Sequence, residues 1–464
     1  MNNIKINDLI DLENILESLI FEEYEPEPFI FNENEALEFI ETALYLMEDY
    51  MIENPTAISE PDFVNNLLED VKELFYIQFE EDILKNDWIE EDLNEILEEA
   101  LKIFIGTFYP ERSINSIMLN ENNPDENEFL NDQIDSNDKI EKIQNIIEHI
   151  KEKPQPTQRT NEWYQFRHNL ITASNAYKAF ESQSTINQLI YEKCQPLKTT
   201  YDDKNTTMVN INTPFHWGQK YEPVSVMLYE YLYNTKVADF GCIKHDYYSF
   251  LGASPDGINI DVNTERFGRM LEIKNIVNRE INGIPKKEYW IQMQLQMEVC
   301  NLDECDFLET KFVEYESANE FFEELEKIDH YTNLRVLDKK GVIIYFHNTI
   351  ESKPFYVYKP LNIVKMEDIL KWEEDMVELY QSPQHNMTYI KSNYWKLEKL
   401  SCVLVLRNNI WFKNNIQAIE NVWNIIEKER ITGYEHRAPT KKHRNKIELN
   451  ENGNIGICLI KLDK

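Results

Sequence analysis

Residues 252–275 read GASPDGINIDVNTERFGRMLEIKN, two short extended runs separated by a polar loop. In a strand successive side chains face opposite sides, so Glu272 and Lys274 project from one face and Leu271 and Ile273 from the other, into a core. The SPDG sequence at 254–257 is a turn signal, and Asp256 lies sixteen residues before Glu272. A hairpin over that distance returns the chain and sets Asp256 beside Glu272. Two carboxylates so placed repel each other unless a cation separates them, and hard oxygen ligands favour Mg²⁺ or Mn²⁺. Alone, Glu272 and Lys274 would read as a solvated strand face and Asp256 as a turn former; their surroundings change that reading.

Downstream, EYWIQMQLQMEVCN (288–301) has the pattern of a long helix and DECDFLETKFVEY (303–315) that of a strand. Upstream, NEWYQFRHNLITASNAYKAF (161–180) and PFHWGQKYEPVSVMLYEYLYN (214–234) are helical over much of their length, whereas VADFGCIKHDYYSFLGASPDGINIDV (237–262) reads as strands joined by turns. Helix, antiparallel strands, helix and strand in this order predict an α/β or α+β core, a mixed central sheet flanked by helices. No internal repeat is present.

The rest of the chain differs in charge. Its 464 residues hold 84 acidic and 47 basic side chains, a formal net charge of −37, which excludes a simple basic DNA-coating protein. Residues 1–150 hold 40 of the acids and only 7 of the bases, so the remainder is nearly neutral. Different electrostatics predict separate domains. Residues 1–120 place apolar side chains three and four apart with acids between them, as expected of an acidic all-α N-terminal domain, with Asn32 or Asn34 capping one helix. Residues 121–158 are expected to form a linker and a connecting helix, 159–316 the core, and 317–464 a mixed α/β C-terminal extension. In that extension FFEELEKIDHYTNLRVL and EDILKWEEDMVELYQ have helical patterns, on either side of strands in GVIIYFHNTIESKPFYVYKPL. With 23 Phe, 25 Tyr and 8 Trp, the chain can fill buried cores and is not generally disordered. No apolar run reaches the roughly 18 residues of a membrane span, and the N-terminus lacks a basic flank, so a soluble intracellular protein with no membrane partner is expected. Six scattered cysteines without a CxxC predict buried thiols.

Pro255-Asp256 followed by Glu272-x-Lys274 resembles the PD-(D/E)XK nuclease core. RTNEWYQFRHNLITAS (159–174) resembles the opening motif of the lambda-type exonuclease and YqaJ-like viral recombinase family, in which a Trp and an Arg precede an I-T-A-S turn. WGQKYEP (217–223) resembles its next element, a Gly followed four residues later by a metal-site Glu, here Gly218 and Glu222. SPDG, LEIK and Y-x-x-Q-x-Q follow in family order, and the resemblance covers about residues 159–315.

The resemblance implies a restriction-endonuclease-like core with Asp256, Glu272, Glu222 and the Ile273 backbone carbonyl as metal ligands. It makes Lys274 the catalytic lysine and Gln292 the helical glutamine completing the site, with Gln294 or Tyr289 assisting. Arg167, Ser174 and Thr172 would bind a terminal 5′-phosphate, a role suited to an Arg fork beside hydroxyl donors. The implied activity is Mg²⁺- or Mn²⁺-dependent hydrolysis of DNA, foremost exonuclease action on duplex ends in recombination, repair or defence. An endonuclease or a RecB-type single-strand nuclease shares the same chemical residues, and a non-catalytic DNA-end or protein-binding module is the alternative of another class. RecB-type relatives can hold an iron–sulfur cluster on four cysteines; Cys300 and Cys305 are the only near pair here, so no cluster is expected. A homo-oligomer, dimer or ring, is the expected form. A helicase or a single-strand-binding or annealing protein is a further candidate partner, and the host cytoplasm or a viral factory the expected location if the source is viral.

Outside that core, Arg437, Lys441, Lys442, Arg444 and Lys446 form the densest positive cluster and are candidates for a DNA-backbone contact. Trp163, Trp217 and Trp290 are assigned to packing, and His168, His216 and His245, which lack ligand spacing, to structural or exposed positions. Like charge should keep residues 1–150 off DNA, leaving them assembly, partner binding or gating.

Overall fold

The computed structural model describes residues 31–54, 56–83, 88–107, 114–115, 136–158, 160–197, 211, 213–329 and 339–439. The chain divides into two compact units, Met1–Glu111 and Arg112–Lys464.

The first unit contains α1 (Glu33–Glu53), α2 (Phe63–Ile83) and α3 (Trp88–Thr107). Asn32 caps α1: its side chain accepts from the Asn34 and Glu35 amides, while Glu35 accepts from the Asn32 amide at 3.0 Å. That reciprocal box satisfies amide groups which a helix start leaves without partners. Met47, Leu67 and Phe104 are fully buried, one from each helix. Burial of these apolar stripes is what holds helices of such acidic composition together.

The second unit opens with β1 (Ile114–Asn115), α4 (Ser136–Glu152), α5 (Asn161–His168), β2 (Ile171–Thr172), α6 (Ala173–Ala176) and α7 (Gln183–Cys194). The long α8 (Pro214–Tyr233) follows, then β3 (Val237–Ala238), β4 (Ile243–Lys244), β5 (Leu251–Ala253), β6 (Gly257–Asn259) and β7 (Met270–Asn275). Next come α9 (Lys287–Cys300), β8 (Glu304–Glu314), α10 (Ala318–Asp329), β9 (Lys340–Asn348), β10 (Lys353–Tyr358), α11 (Met366–Gln381), β11 (Met387–Leu406) and α12 (Asn409–Thr432). The main sheet runs β10-β9-β11-β8-β7-β6-β3, with β1 on the far end of β11; β2, β5 and β4 form a separate small sheet. Among the described residues of the main sheet, only β7 and β8 are parallel, joined through the crossover helix α9. The fold is mixed α/β, as the alternation of elements predicts.

Three features differ from the sequence expectation or lie outside it. Glu272 and Lys274 do share a face of β7, but the face is covered: Glu272 is completely buried under α9, while Leu271 and Ile273 pack with Tyr229 of α8 on the other side. Gly257 belongs to β6, and its φ is not positive. It is glycine because a Cβ there would overlap Val237 Cγ1 on the neighbouring strand. Finally, β11 and α12 carry no expectation from the sequence. β11 has irregularities at Tyr389/Lys391 and Leu397/Lys399, each of which shifts the alternation of side chains and erases the period of two along twenty residues. Through β9, β10 and β11, residues beyond 317 extend the same sheet that holds Glu272.

Candidate functional site

The strands bring Asp256 and Glu272 together. β6 pairs antiparallel with β7, Gly257 opposite Leu271, so Asp256 enters the sheet alongside the strand that carries Glu272. The Asp256 amide donates to the Leu271 carbonyl at 3.1 Å, and the Ile273 amide donates to Asp256 Oδ2 at 2.7 Å. Burial, then the negative charge of Glu272, raises the Asp256 pKa well above the ordinary carboxylate value, with Glu222 adding to the effect. Lys274 Nζ donates to Glu272 Oε1 and stands 4.7 Å from the centre of the Tyr289 ring. Burial opposes the charge on Lys274, but Glu272 and Asp256 outweigh it and keep the ammonium pKa above that of an ordinary lysine.

α9 supplies two amides to the same carboxylate. Gln292 Nε2 donates to Glu272 Oε1 and Gln296 Nε2 to Oε2, both at 2.7 Å. Gln296 is a residue that the sequence reading missed. Four residues after Gln292, it shares the same helix face, whereas Gln294 points elsewhere and bonds the Leu406 carbonyl and the Asn408 amide. The expectation that Gln294 assists the site is therefore corrected: it fastens α9 to the end of β11.

Glu222 lies on α8 and lines the same cleft as Asp256, Glu272, Lys274 and Gln292, an open cavity of about 510 Å³. Asn275, at the end of β7, fixes that helix: its Nδ2 donates to the Gly218 carbonyl at 2.9 Å, and its Oδ1 accepts from Ser225 and Thr310, both at 2.7 Å. α8 also contains Pro223, immediately after Glu222, which removes one amide donor from the helix interior.

At the other side of the cleft, Arg167 extends from α5. Its Nη1 donates to Ser254 Oγ at 3.1 Å and its Nη2 to Ser174 Oγ at 3.4 Å, and Thr172 Oγ1 lies 3.2 Å from Ser174 Oγ. The guanidinium sits 4.6 Å from the Trp163 ring centre, so this tryptophan lines the cleft as a platform under Arg167 rather than serving only as core packing. Ser254 is a second residue that the sequence reading passed over, although it opens the SPDG motif. Trp290 is buried, as assigned.

Asp256, Glu272, Glu222 and Ile273 all line the cleft, and carboxylate and backbone carbonyl oxygens are hard donors suited to Mg²⁺ or Mn²⁺. Among the described residues, no three His, Cys, Asp or Glu side chains gather closely enough to hold a metal ion by themselves. The fit is one of donor chemistry and of negative charge concentrated around Asp256.

Arg437 departs from its expected role. Its Nε and Nη2 donate to the two oxygens of Glu429, both at 2.6 Å, and its Nη1 to Asn187, so the guanidinium is engaged within the protein. Lys441, Lys442, Arg444 and Lys446 lie outside the described residues. Among the described residues, no helix is long and apolar enough to cross a membrane.

Residues 162–303 match the family profile of the YqaJ-like viral recombinase domain. The chain is 29% identical over 306 residues to an uncharacterized protein of Acanthamoeba polyphaga mimivirus, a match covering 60% of this chain and 54% of that one. The chain thus spans about half the length of this curated relative. Among solved structures, it is similar to LHK-Exo in complex with dAMP, at 17% identity and a TM-score of 0.31, covering 58% of this chain and 94% of that one. It is also similar to the alkaline exonuclease LHK-Exo from Laribacter hongkongensis, at 18% identity and a TM-score of 0.30, covering 60% and 95%.

Proposed function

We propose that this chain, whose residues 162–303 match the YqaJ-like viral recombinase domain, is a divalent-metal-dependent DNA exonuclease that attacks duplex ends carrying a 5′-phosphate. One observation carries the reading: the carboxylate and lysine cluster of Asp256, Glu272 and Lys274 shares a single cleft with the Arg167–Ser174–Thr172 group. A hydrolytic centre and an anion-binding group in one cavity are what trimming from a phosphorylated end requires.

Asp256, Glu272, Glu222 and the Ile273 carbonyl would hold the metal. Bound there, Mg²⁺ or Mn²⁺ supplies charge neutralisation at the phosphoryl group and a lower pKa for the attacking water. The protein's own groups do the rest. Gln292 and Gln296 each hold one oxygen of Glu272, which fixes the orientation of the carboxylate plane. Lys274, charged and held against Tyr289, is placed to orient the water and steady the developing negative charge. The Arg167 fork, held over the Trp163 ring, would take the terminal phosphate together with the Ser174 hydroxyl.

The test is cleavage of end-labelled linear duplex with Mg²⁺, with 5′-phosphate and 5′-hydroxyl ends compared beside a covalently closed circle. Faster loss of the phosphorylated duplex, an intact circle and no cleavage in chelator support the reading. Cutting of the circle would replace it with an endonuclease, and undiminished cleavage in chelator would refute metal dependence.

A further inference from the structure

Helix α5, which carries Arg167, has two turns and no buried residue. A helix that short is not stable by itself and must be held by its surroundings. Its last carbonyls, without partners in the helix, are met by cations from two other elements. Lys193 Nζ, from α7, donates to the Arg167 carbonyl at 2.7 Å. Arg430, from α12, donates through Nη2 to the His168 carbonyl at 2.8 Å and to the Lys193 carbonyl at 2.8 Å, with Nε also reaching the latter at 3.0 Å. Its Nη1 reaches the Asn169 side chain at 3.4 Å. α12 lies outside the residues that match the recombinase domain.

We propose that Lys193 and Arg430 are positioning residues for the terminal-phosphate group, capping the end of α5 so that the Arg167 fork is held beside Ser174 and Ser254. This inference rests on the phosphate-end reading above. The geometry makes the dependence specific: one cation grips the backbone of Arg167 itself, and the other binds both that cation's carbonyl and the next residue of α5. Lys193 is 8% exposed, and burial, then the charges of Arg167 and Arg430, push its pKa down to about 8. Three cations are thus drawn around one helix end, an arrangement that an anion on Arg167 would relieve.

The experiment uses the full chain and linear duplexes with 5′-phosphate or 5′-hydroxyl ends, comparing wild type with Arg167→Ala, Lys193→Met, Arg430→Gln and Arg430→Lys. Arg430→Gln and Lys193→Met should raise KM for the phosphorylated duplex by about tenfold, the scale of one lost charge-assisted hydrogen bond. Their kcat should stay near wild type, and cleavage of the hydroxyl-ended duplex should fall far less. Arg430→Lys, with a single ammonium, should recover part of the preference. If Arg430→Gln fails to give a native circular dichroism spectrum, Lys193→Met decides. Equal slowing on both ends would overturn the inference in favour of a purely structural role. Retained preference in both variants, with preference lost in Arg167→Ala, would overturn it and leave the phosphate reading intact. No preference in wild type would overturn both.

Discussion

The Ile273 backbone amide holds Asp256 Oδ2 at 2.7 Å, fastening a carboxylate from one strand entrance to the middle of the next strand, between Glu272 and Lys274. That bond aligns the second oxygen of Asp256 without using a side chain. It also keeps two mutually repelling carboxylates close, where burial and Glu272 raise the Asp256 pKa.

Asp256→Asn retains an oxygen able to accept from Ile273, so the fold should persist while cleavage with Mg²⁺ falls by at least about 10²-fold. Lys274→Met should lose activity on a similar or larger scale. Single-turnover cleavage beside circular dichroism checks both; a native variant cutting at the wild-type rate would remove that residue from the site.

Gln296→Met removes the donor to Glu272 Oε2 while preserving helix length and burial. Loss of a ligand-orienting partner costs about 10- to 100-fold in metal affinity or activity. The metal concentration needed for half-maximal cleavage should therefore rise. Gln294→Met, which leaves Glu272 untouched, should chiefly lower thermal stability; an equal metal defect in both variants would contradict the assignment.

Gly257→Ala forces a methyl group into Val237. Overpacking of this kind costs about 1–3 kcal/mol. Denaturant melts should show that loss, and adding Val237→Ala should recover part of it. A Gly257→Ala protein as stable as wild type would show that the two strands separate without penalty.

His245 stacks on Phe412 at 6.1 Å, and its Nδ1 accepts from the Tyr247 and Tyr248 amides at 3.0 and 3.2 Å. Burial first, with Lys153 and Arg407 adding and Asp246 opposing, pushes its pKa down to about 4. The folded pKa lies below the unfolded one, so this stability is present above about pH 6.5 and is lost as pH falls toward 4. The group's share of that loss is about 3 kcal/mol at most. His245→Asn keeps an acceptor without titrating there, and should flatten the difference in unfolding free energy between pH 7 and 4.5; an unchanged slope would dismiss His245 as its source.

Arg437→Ala breaks the fork to Glu429 and the bond to Asn187. It should lower stability by about 1–2 kcal/mol and leave the salt dependence of DNA binding unchanged. A shallower salt slope, measured by anisotropy, would return Arg437 to the DNA interface.

What the sequence determined by itself about this protein is local. Alternation along Leu271-Glu272-Ile273-Lys274 puts the acid and the amine on one face because strand geometry has a period of two, and Asp256 reaches them because a short hairpin has few ways to return. The mixed α/β character follows from the same periodicities. Other features depend on contacts far apart in the chain. The buried state of Glu272, the choice of Gln296 over Gln294, the ties of Asn275 to α8 and the engagement of Arg437 by Glu429 are settled by which helix lies over which strand. The i, i+4 spacing of Gln292 and Gln296 was visible, but only the seating of α9 on β7 distinguishes that face from the one carrying Gln294. Arg430 meets the end of α5 across more than two hundred residues, and the bulges of β11 conceal its own strand pattern. Local steric periodicity acts within a few residues, whereas a buried polar group is satisfied by whatever the folded chain brings to it, and only the tertiary structure decides that.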